Sequence, residues 1–127
     1  MKLLLRRDQQ VSGLLRNTIT FSVTVRAELS DQERQNIEKY KFGESILYTR
    51  GELVDKGSGL LGLASRVAFH AMNITVSVND LTHGKRVECK DIVEMLGVEE
   101  QLKQAASTFK AVLDAASHFG GDEVIEL

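Results

Sequence analysis

Alternating apolar and polar side chains make residues 18–29 the clearest strand of the chain. A period of two predicts one face buried in a core and the other exposed to water or to a partner. The apolar positions are Ile19, Phe21, Val23, Val25, Ala27 and Leu29. Residues 2–9 predict the antiparallel partner of this strand, with residues 11–13 in the connection.

A helix-capping motif follows directly after this strand in the sequence. Ser30 and Glu33 have the spacing of a capping box, in which each side chain accepts a hydrogen bond from the other residue's backbone. The sequence therefore predicts a short polar helix that runs to about Phe42 and ends at Gly43. Residues 45–49 predict a further strand, for which residues 52–54 are a candidate partner.

The second half of the chain repeats this order. Residues 74–78 and 86–90 alternate in polarity on either side of Thr82-His83-Gly84, which predicts a β-hairpin. Residues 91–94 predict the start of a short helix interrupted at Gly97, followed by a long helix over residues 98–119. The predicted core stripe of that helix is Val98, Leu102, Ala105, Phe109, Val112, Leu113 and Ala116. Gly120 and Gly121 end it, and residues 123–127 predict a final strand.

These elements predict a single α+β domain over residues 1–127, with a mainly antiparallel sheet and helices packed on one face. Both halves have the predicted order hairpin, helix, strand, which suggests a pseudo-repeat of a ββαβ unit. We find no residue-level identity between the halves.

The amino-acid composition limits the kinds of metal, disulfide and membrane-spanning features that the chain can have. The chain has 127 residues, one cysteine, three histidines and no proline. A single Cys89 excludes an internal disulfide framework and, with scattered histidines, argues against a zinc site, so we predict no metal and no cofactor. We expect a reducing, cytoplasmic environment. The apolar run at Leu3, Leu4 and Leu5 is far too short for a signal peptide or a membrane span.

Charge is distributed unevenly although the net charge is only −2. Residues 1–29 carry a net charge of +3, whereas residues 91–127 carry −6. Basic residues on alternating strands are typical of the solvated face of a sheet, and we do not expect binding to nucleic acid. The simplest interpretation is that the two ends of the chain lie close together and offset each other's charge, within a subunit or between subunits.

A glycine-rich segment supplies the most specific candidate chemistry. Gly57-Ser58-Gly59-Leu60-Leu61-Gly62 reads G-x-G-x-x-G and leads into a predicted helix, as in dinucleotide-binding loops. The approach from Arg50 to Lys56 is polar and turn-rich instead of being a buried strand, which favours a flexible turn capped by Ser58. The alternative is a nucleotide-like anionic ligand bound at residues 57–62, with Arg66 and Asp80 as secondary contacts.

The predicted helix over residues 60–72 indicates a surface that needs cover. Phe69 projects away from the apolar stripe of this helix and lies beside Gly62 and Ser65. Ala111 and Ala115 form a small-residue flank on the long helix. We therefore predict a homo-oligomer, with an interface that includes Gly62, Ser65, Phe69, Ala111 and Ala115.

The reactive side chains have adequate structural explanations. Cys89 alternates with Val87 on the predicted buried face, His83 occupies a turn, and His118 closes a helix. We therefore assign no catalytic residue. The sequence favours a non-enzymatic binding or assembly module that acts as a homo-oligomer, and the alternative is a small enzyme or sensor that binds a nucleotide-like anion.

Overall fold

The computed structural model of the chain describes residues 1–13, 18–49, 74–119, 121–122 and 124–127. Within these residues it contains antiparallel sheets and helices, which confirms the predicted α+β class. The predicted strand at residues 52–54 and the predicted helix at residues 60–72 lie outside the described residues.

A three-stranded antiparallel sheet joins the two halves of the chain. It consists of β1 (Lys2–Ser12), β2 (Thr18–Glu28) and β5 (Lys85–Cys89), in the order β1-β2-β5. Strands β1 and β2 pair over their whole length, from Lys2 opposite Glu28 to Ser12 opposite Thr18. The alternation predicted for β2 is confirmed at Val23, Val25 and Ala27, which are fully or almost fully buried.

The first helix, α1 (Asp31–Tyr40), begins with the predicted capping box. The Ser30 hydroxyl accepts from the Glu33 amide at 3.1 Å, and the Ser30 amide donates to Glu33 Oε1 at 2.9 Å. The predicted end at Gly43 is wrong, because Lys41 caps the helix in the left-handed conformation with φ of 56°. Gly43 instead contacts Asn79, whose amide donates to the Gly43 carbonyl at 2.8 Å.

The predicted hairpin in the second half is also wrong. Strand β4 (Thr75–Ser77) pairs with β3 (Ile46–Thr49), and the chain then forms α2 (Val78–His83) before β5 pairs with β2. Helix α2 forms because Ser77 and Asp80 make a second capping box, which the sequence reasoning overlooked. The described second half therefore runs strand, helix, strand, helix, and does not reproduce the ββαβ order of the first.

The longest helix, α3 (Ile92–Ala116), is continuous through Gly97. The predicted interruption fails because a helical glycine costs about 1 kcal/mol relative to alanine, which burial of the neighbouring Met95 and Val98 offsets. The predicted core stripe is confirmed at its buried positions, Val98, Leu102, Ala105, Phe109, Leu113 and Ala116. Residues 124–127 are exposed and form no strand, contrary to prediction.

The hydrophobic core lies between α3 and the inner faces of the strands. Val23 and Val25 of β2, Tyr48 of β3, and Leu102 and Phe109 of α3 belong to one buried cluster. The opposite face of the three-stranded sheet carries the polar half of the alternation. Within the described residues, the strand order leaves β1 at one edge of this sheet and β5 at the other.

Candidate functional site

The predicted ligand site falls largely outside the described residues, which do not include Gly57, Ser58, Gly59, Gly62 or Arg66. The remaining residue of the predicted ligand site, Asp80, has hydrogen-bond and ion-pair partners within the protein. The Asp80 carboxylate accepts from the Ser77 amide at 2.9 Å, the Asp80 amide donates to Ser77 Oγ at 3.2 Å, and Lys85 Nζ lies 3.8 Å from the carboxylate. This carboxylate therefore holds the start of α2, and the nucleotide hypothesis stays a prediction.

The predicted oligomer interface is described in part. Gly62, Ser65 and Phe69 lie outside the described residues, whereas Ala111 and Ala115 are exposed on α3. Ala115 lines a cavity of about 480 Å³ together with Asp114, His118, Gly121 and Asp122. An exposed small-residue flank is compatible with a partner at this position, so this part of the interface stays a prediction.

The reactive thiol is buried. Cys89 is 3% exposed, and burial, followed by the negative charges of Glu94, Asp91 and Glu99, raises the pKa of its thiol to about 11. A thiol with a raised pKa is a weak nucleophile at neutral pH. The predicted role of Cys89 as a small apolar filler agrees with this position.

Two histidines contact backbone carbonyls at the ends of helices. His83 Nδ1 lies 3.0 Å from the Asn79 carbonyl, at the end of α2. The prediction that His83 lies in a hairpin turn is therefore wrong. His118 Nδ1 lies 2.6 Å from the Asp114 carbonyl, just beyond the end of α3, as predicted. Both side chains therefore have structural contacts.

Strand β1 offers a different kind of chemistry, that of an open sheet edge. Among the described residues it pairs with β2 alone, so one side of this 11-residue strand carries backbone N–H and C=O groups with no described strand beside them. Such a row is a template on which another strand can pair. Its register with β2 runs without interruption, so no bulge twists the edge away.

Charged side chains usually protect such an edge, but here the central ones form ion pairs within the subunit. Arg6 and Asp8, on the outer face of β1, form an ion pair at 3.1 Å. Arg7 lies on the core-facing side, paired with Val23, and its guanidinium donates two hydrogen bonds to the carboxylate of Glu99 on α3. The central charges of β1 are therefore balanced before any partner arrives.

No known protein family, curated protein or solved structure matches this chain. The candidate site therefore rests on its geometry alone. No helix within the described residues is long and apolar enough to cross a membrane. Within the same part of the chain, no group of three or more histidine, cysteine or acidic side chains is placed to hold a metal ion.

The outer face of the three-stranded sheet is organised in rows of like charge. One row across the strands places Arg6, Thr24 and Arg86 side by side, and the next places Asp8, Ser22 and Glu88 side by side. Together they line a shallow cavity of about 430 Å³. A basic row next to an acidic row is self-complementary, because turning one sheet by half a revolution sets basic against acidic.

The ion pair between Arg7 and Glu99 was not predicted from the sequence. All the basic residues of the first strands were predicted to lie on a solvated face, whereas Arg7 lies on the core-facing side with Leu3 and Leu5. The signal was available, since a charged residue at a core-facing position requires a partner of opposite charge. This pair also brings a residue of the basic end of the chain against one of the acidic end, within a single subunit.

Proposed function

We propose that this protein is a non-enzymatic binding and assembly module that acts as a homo-oligomer through the edge of β1 that no described strand covers. The observation that carries the proposal is the length of that edge, 11 residues, together with the neutralisation of its central charges. Natural sheets rarely leave so long an edge without a bulge, a proline or unbalanced charges. A strand from a second copy of the chain, paired along this edge, provides hydrogen-bond partners for its backbone N–H and C=O groups.

The free energy of the backbone hydrogen bonds in such a pairing can be compared with the cost of association. Two strands of this length exchange on the order of ten backbone hydrogen bonds when paired, each with a net contribution of about 0.5–1.5 kcal/mol. Association costs about 4–15 kcal/mol in lost freedom of the two subunits. The ladder alone therefore roughly offsets the cost of association, and side-chain contacts across the junction must supply the net free energy of the dimer.

A non-enzymatic role is supported by the contacts of the reactive groups. The Cys89 thiol has a raised pKa, and Asp80 is held in a capping box. One cysteine in the chain is consistent with a reducing compartment such as the cytoplasm, and the alternating charges on the sheet give no basic surface suited to nucleic acid.

Hydrogen–deuterium exchange over a range of protein concentrations, with native mass spectrometry on the same samples, tests the proposal. Amides of an antiparallel strand alternate between its two sides, so about half of the β1 amides face the free edge in a monomer. We expect those amides to become protected as the oligomer forms. Amides of β5, at the other edge of the sheet, serve as the internal control and should not change. A monomer at every concentration, or protection confined to other segments, would contradict the proposal.

A further inference from the structure

The symmetry of a dimer restricts how two β1 edges can meet. A two-fold axis perpendicular to the sheet keeps outer faces on one side, so each residue must lie opposite one from the same face of the second copy. Outer-face residues of β1 are Lys2, Leu4, Arg6, Asp8, Gln10 and Ser12. Antiparallel registers can therefore differ only in steps of the two-residue pleat repeat.

We propose that β1 pairs with β1 of a second copy in the register that places Arg6 opposite Asp8 of that copy, an inference that rests on the proposed function. This register also places Lys2 opposite Ser12, so the strand Lys2–Ser12 is paired over its whole length. Maximum overlap of the backbone and opposition of unlike charges thus select the same alignment. By symmetry each dimer contains the Arg6–Asp8 contact twice.

Neighbouring registers are unfavourable. Moving the strands by one repeat in either direction places Arg6 opposite Arg6, or Asp8 opposite Asp8, at the two-fold axis, and like charges directly opposite are destabilising. A second step in the direction that places Arg6 opposite Arg6 brings Lys2 opposite Asp8. The register formed in this way is the main competitor of the proposed one. That register leaves residues 9–12 of the strand without a partner in the second β1 and therefore forms fewer backbone hydrogen bonds.

The core-facing side of β1 fits the proposed register. Val11, which is 54% exposed, lies opposite Leu3 of the second copy, so an exposed apolar side chain gains an apolar neighbour. Arg7 lies opposite Arg7 at the axis. Each guanidinium is bound by the buried Glu99 carboxylate of its own subunit, which reduces the repulsion between them. The Arg6–Asp8 pair, in contrast, is exposed to water and offsets like-charge repulsion in the neighbouring registers much less.

The outer face extends the charge pattern across the junction. The row of Arg86, Thr24 and Arg6 continues into Asp8, Ser22 and Glu88 of the second copy. The product is a six-stranded antiparallel sheet with basic rows joined to acidic rows at two symmetric places. The helices of both subunits lie on the same side of this sheet, because the axis preserves its faces.

Charge-exchange variants test the register. Arg6→Glu places two acids opposite each other, and Asp8→Lys places two bases opposite each other. We expect each variant alone to dimerise roughly tenfold or more weakly than the wild type at low salt, because two cross-strand contacts change from attractive to repulsive.

Mixing the two variants should restore the contacts. In a heterodimer of Arg6→Glu with Asp8→Lys, the introduced acid of one chain meets the introduced base of the other, and the native Arg6 and Asp8 meet at the second contact. An equimolar mixture should therefore form the heterodimer in preference to either homodimer. The double variant Arg6→Glu/Asp8→Lys should recover homodimerisation.

Lys2→Glu is the matched control. In the proposed register Lys2 lies opposite Ser12, so this variant should dimerise like the wild type, whereas in the competing register it would oppose Asp8 and weaken the dimer. Sedimentation velocity and native mass spectrometry measure the dimer fraction. Circular dichroism checks each fold, which these exposed side chains should leave intact.

The outcomes separate the register from the function on which it rests. A wild-type protein that is monomeric at all concentrations overturns both proposals. A wild-type dimer that tolerates Arg6→Glu but is weakened by Lys2→Glu overturns the register and leaves the β1 edge as the interface. Weakened single variants that fail to form a heterodimer when mixed also overturn the register, because charge opposition is then not the cause.

Discussion

Arg7 on β1 binds Glu99 on α3 across 92 residues of sequence, with Nη2 donating to Oε2 at 3.0 Å and Nε donating to Oε1. The Glu99 side chain is 2% exposed, whereas that of Arg7 is 56% exposed. The hydrogen bonds from Arg7 and the negative charge of Glu99 raise the pKa of the guanidinium. This pair fastens the edge strand to the longest described helix and keeps a buried carboxylate compensated.

The first prediction concerns the asymmetry of this pair. Arg7→Met should destabilise the protein more than the double variant Arg7→Met/Glu99→Gln, because the single change leaves the Glu99 charge buried without its cation. Urea unfolding of the wild type, both single variants and the double variant gives the coupling free energy directly. Additive effects of the two single changes would show that the two side chains do not stabilise each other.

The second prediction concerns the reactivity of Cys89. Because the pKa of this thiol is raised from 9.0 to about 11, chiefly by burial, its reactive thiolate should be scarce in the folded protein. At pH 8 the thiolate fraction should be about a hundredfold lower than that of an unperturbed thiol. Alkylation with iodoacetamide should therefore be at least that much slower in the folded protein than in urea. Equal rates would contradict the buried position.

The same shift predicts a dependence of stability on pH. The folded protein retains the thiol proton to higher pH than the unfolded chain, so the contribution of Cys89 is fully present below pH 9 and is lost as pH rises towards about 11. Unfolding free energies of the wild type should fall over this range more steeply than those of Cys89→Ala. Parallel curves for the two proteins would contradict this assignment.

The third prediction uses the end of α1. Lys41 adopts a φ of 56°, a conformation that costs a residue with a side chain about 1–2 kcal/mol, and glycine avoids this cost. Lys41→Gly should therefore raise the unfolding free energy by about 0.5–1 kcal/mol after the larger entropy of glycine in the unfolded chain is included. Glu38→Gly, at an exposed position inside α1, is the control and should lower it by about 1 kcal/mol. Destabilisation by both changes would contradict the left-handed cap.

The fourth prediction concerns the capping box of α2. Asp80→Ala and Ser77→Ala should each lower the unfolding free energy by about 1 kcal/mol, because each removes an acceptor from a backbone amide at the helix start. Asp80→Asn keeps an acceptor oxygen and should lower it less. Thermal unfolding measures all three. No loss in Asp80→Ala would mean that the carboxylate is not needed for the fold and is free for another role.

Local patterns determined the elements whose signals are contained within a few residues. The alternation of β2 from Val23 to Ala27, the capping box at Ser30 and the apolar stripe of α3 were each predicted correctly from spacing. Towards its start β2 departs from the prediction, since Ile19 is 44% exposed and Ser22 is buried. Local patterns misled where two short-range signals competed. Residues 75–89 satisfy the polarity of a hairpin, but the chain forms the Ser77–Asp80 capping box and continues as α2 before β5 begins, while β4 pairs with β3.

The candidate edge could be predicted only in part. The sequence indicated that residues 2–9 pair with β2 but could not fix which strands are central, because strand order depends on contacts between residues far apart in the chain. The structure places β5 on the other side of β2 and leaves β1 at the edge of the described sheet. That placement, more than any motif, creates the surface on which the proposed function rests.

By itself the sequence determined the α+β class, the faces of β2 and α3, and the absence of an internal disulfide framework, since periodicity and composition act locally. Tertiary structure decided which strands pair and which charges neutralise each other. Arg7 and Glu99 meet because β1 and α3 pack against the same core, and neither residue carries that information in its own neighbourhood. Long-range packing supplies it, because burying a carboxylate is favourable only where a cation lies within hydrogen-bonding distance.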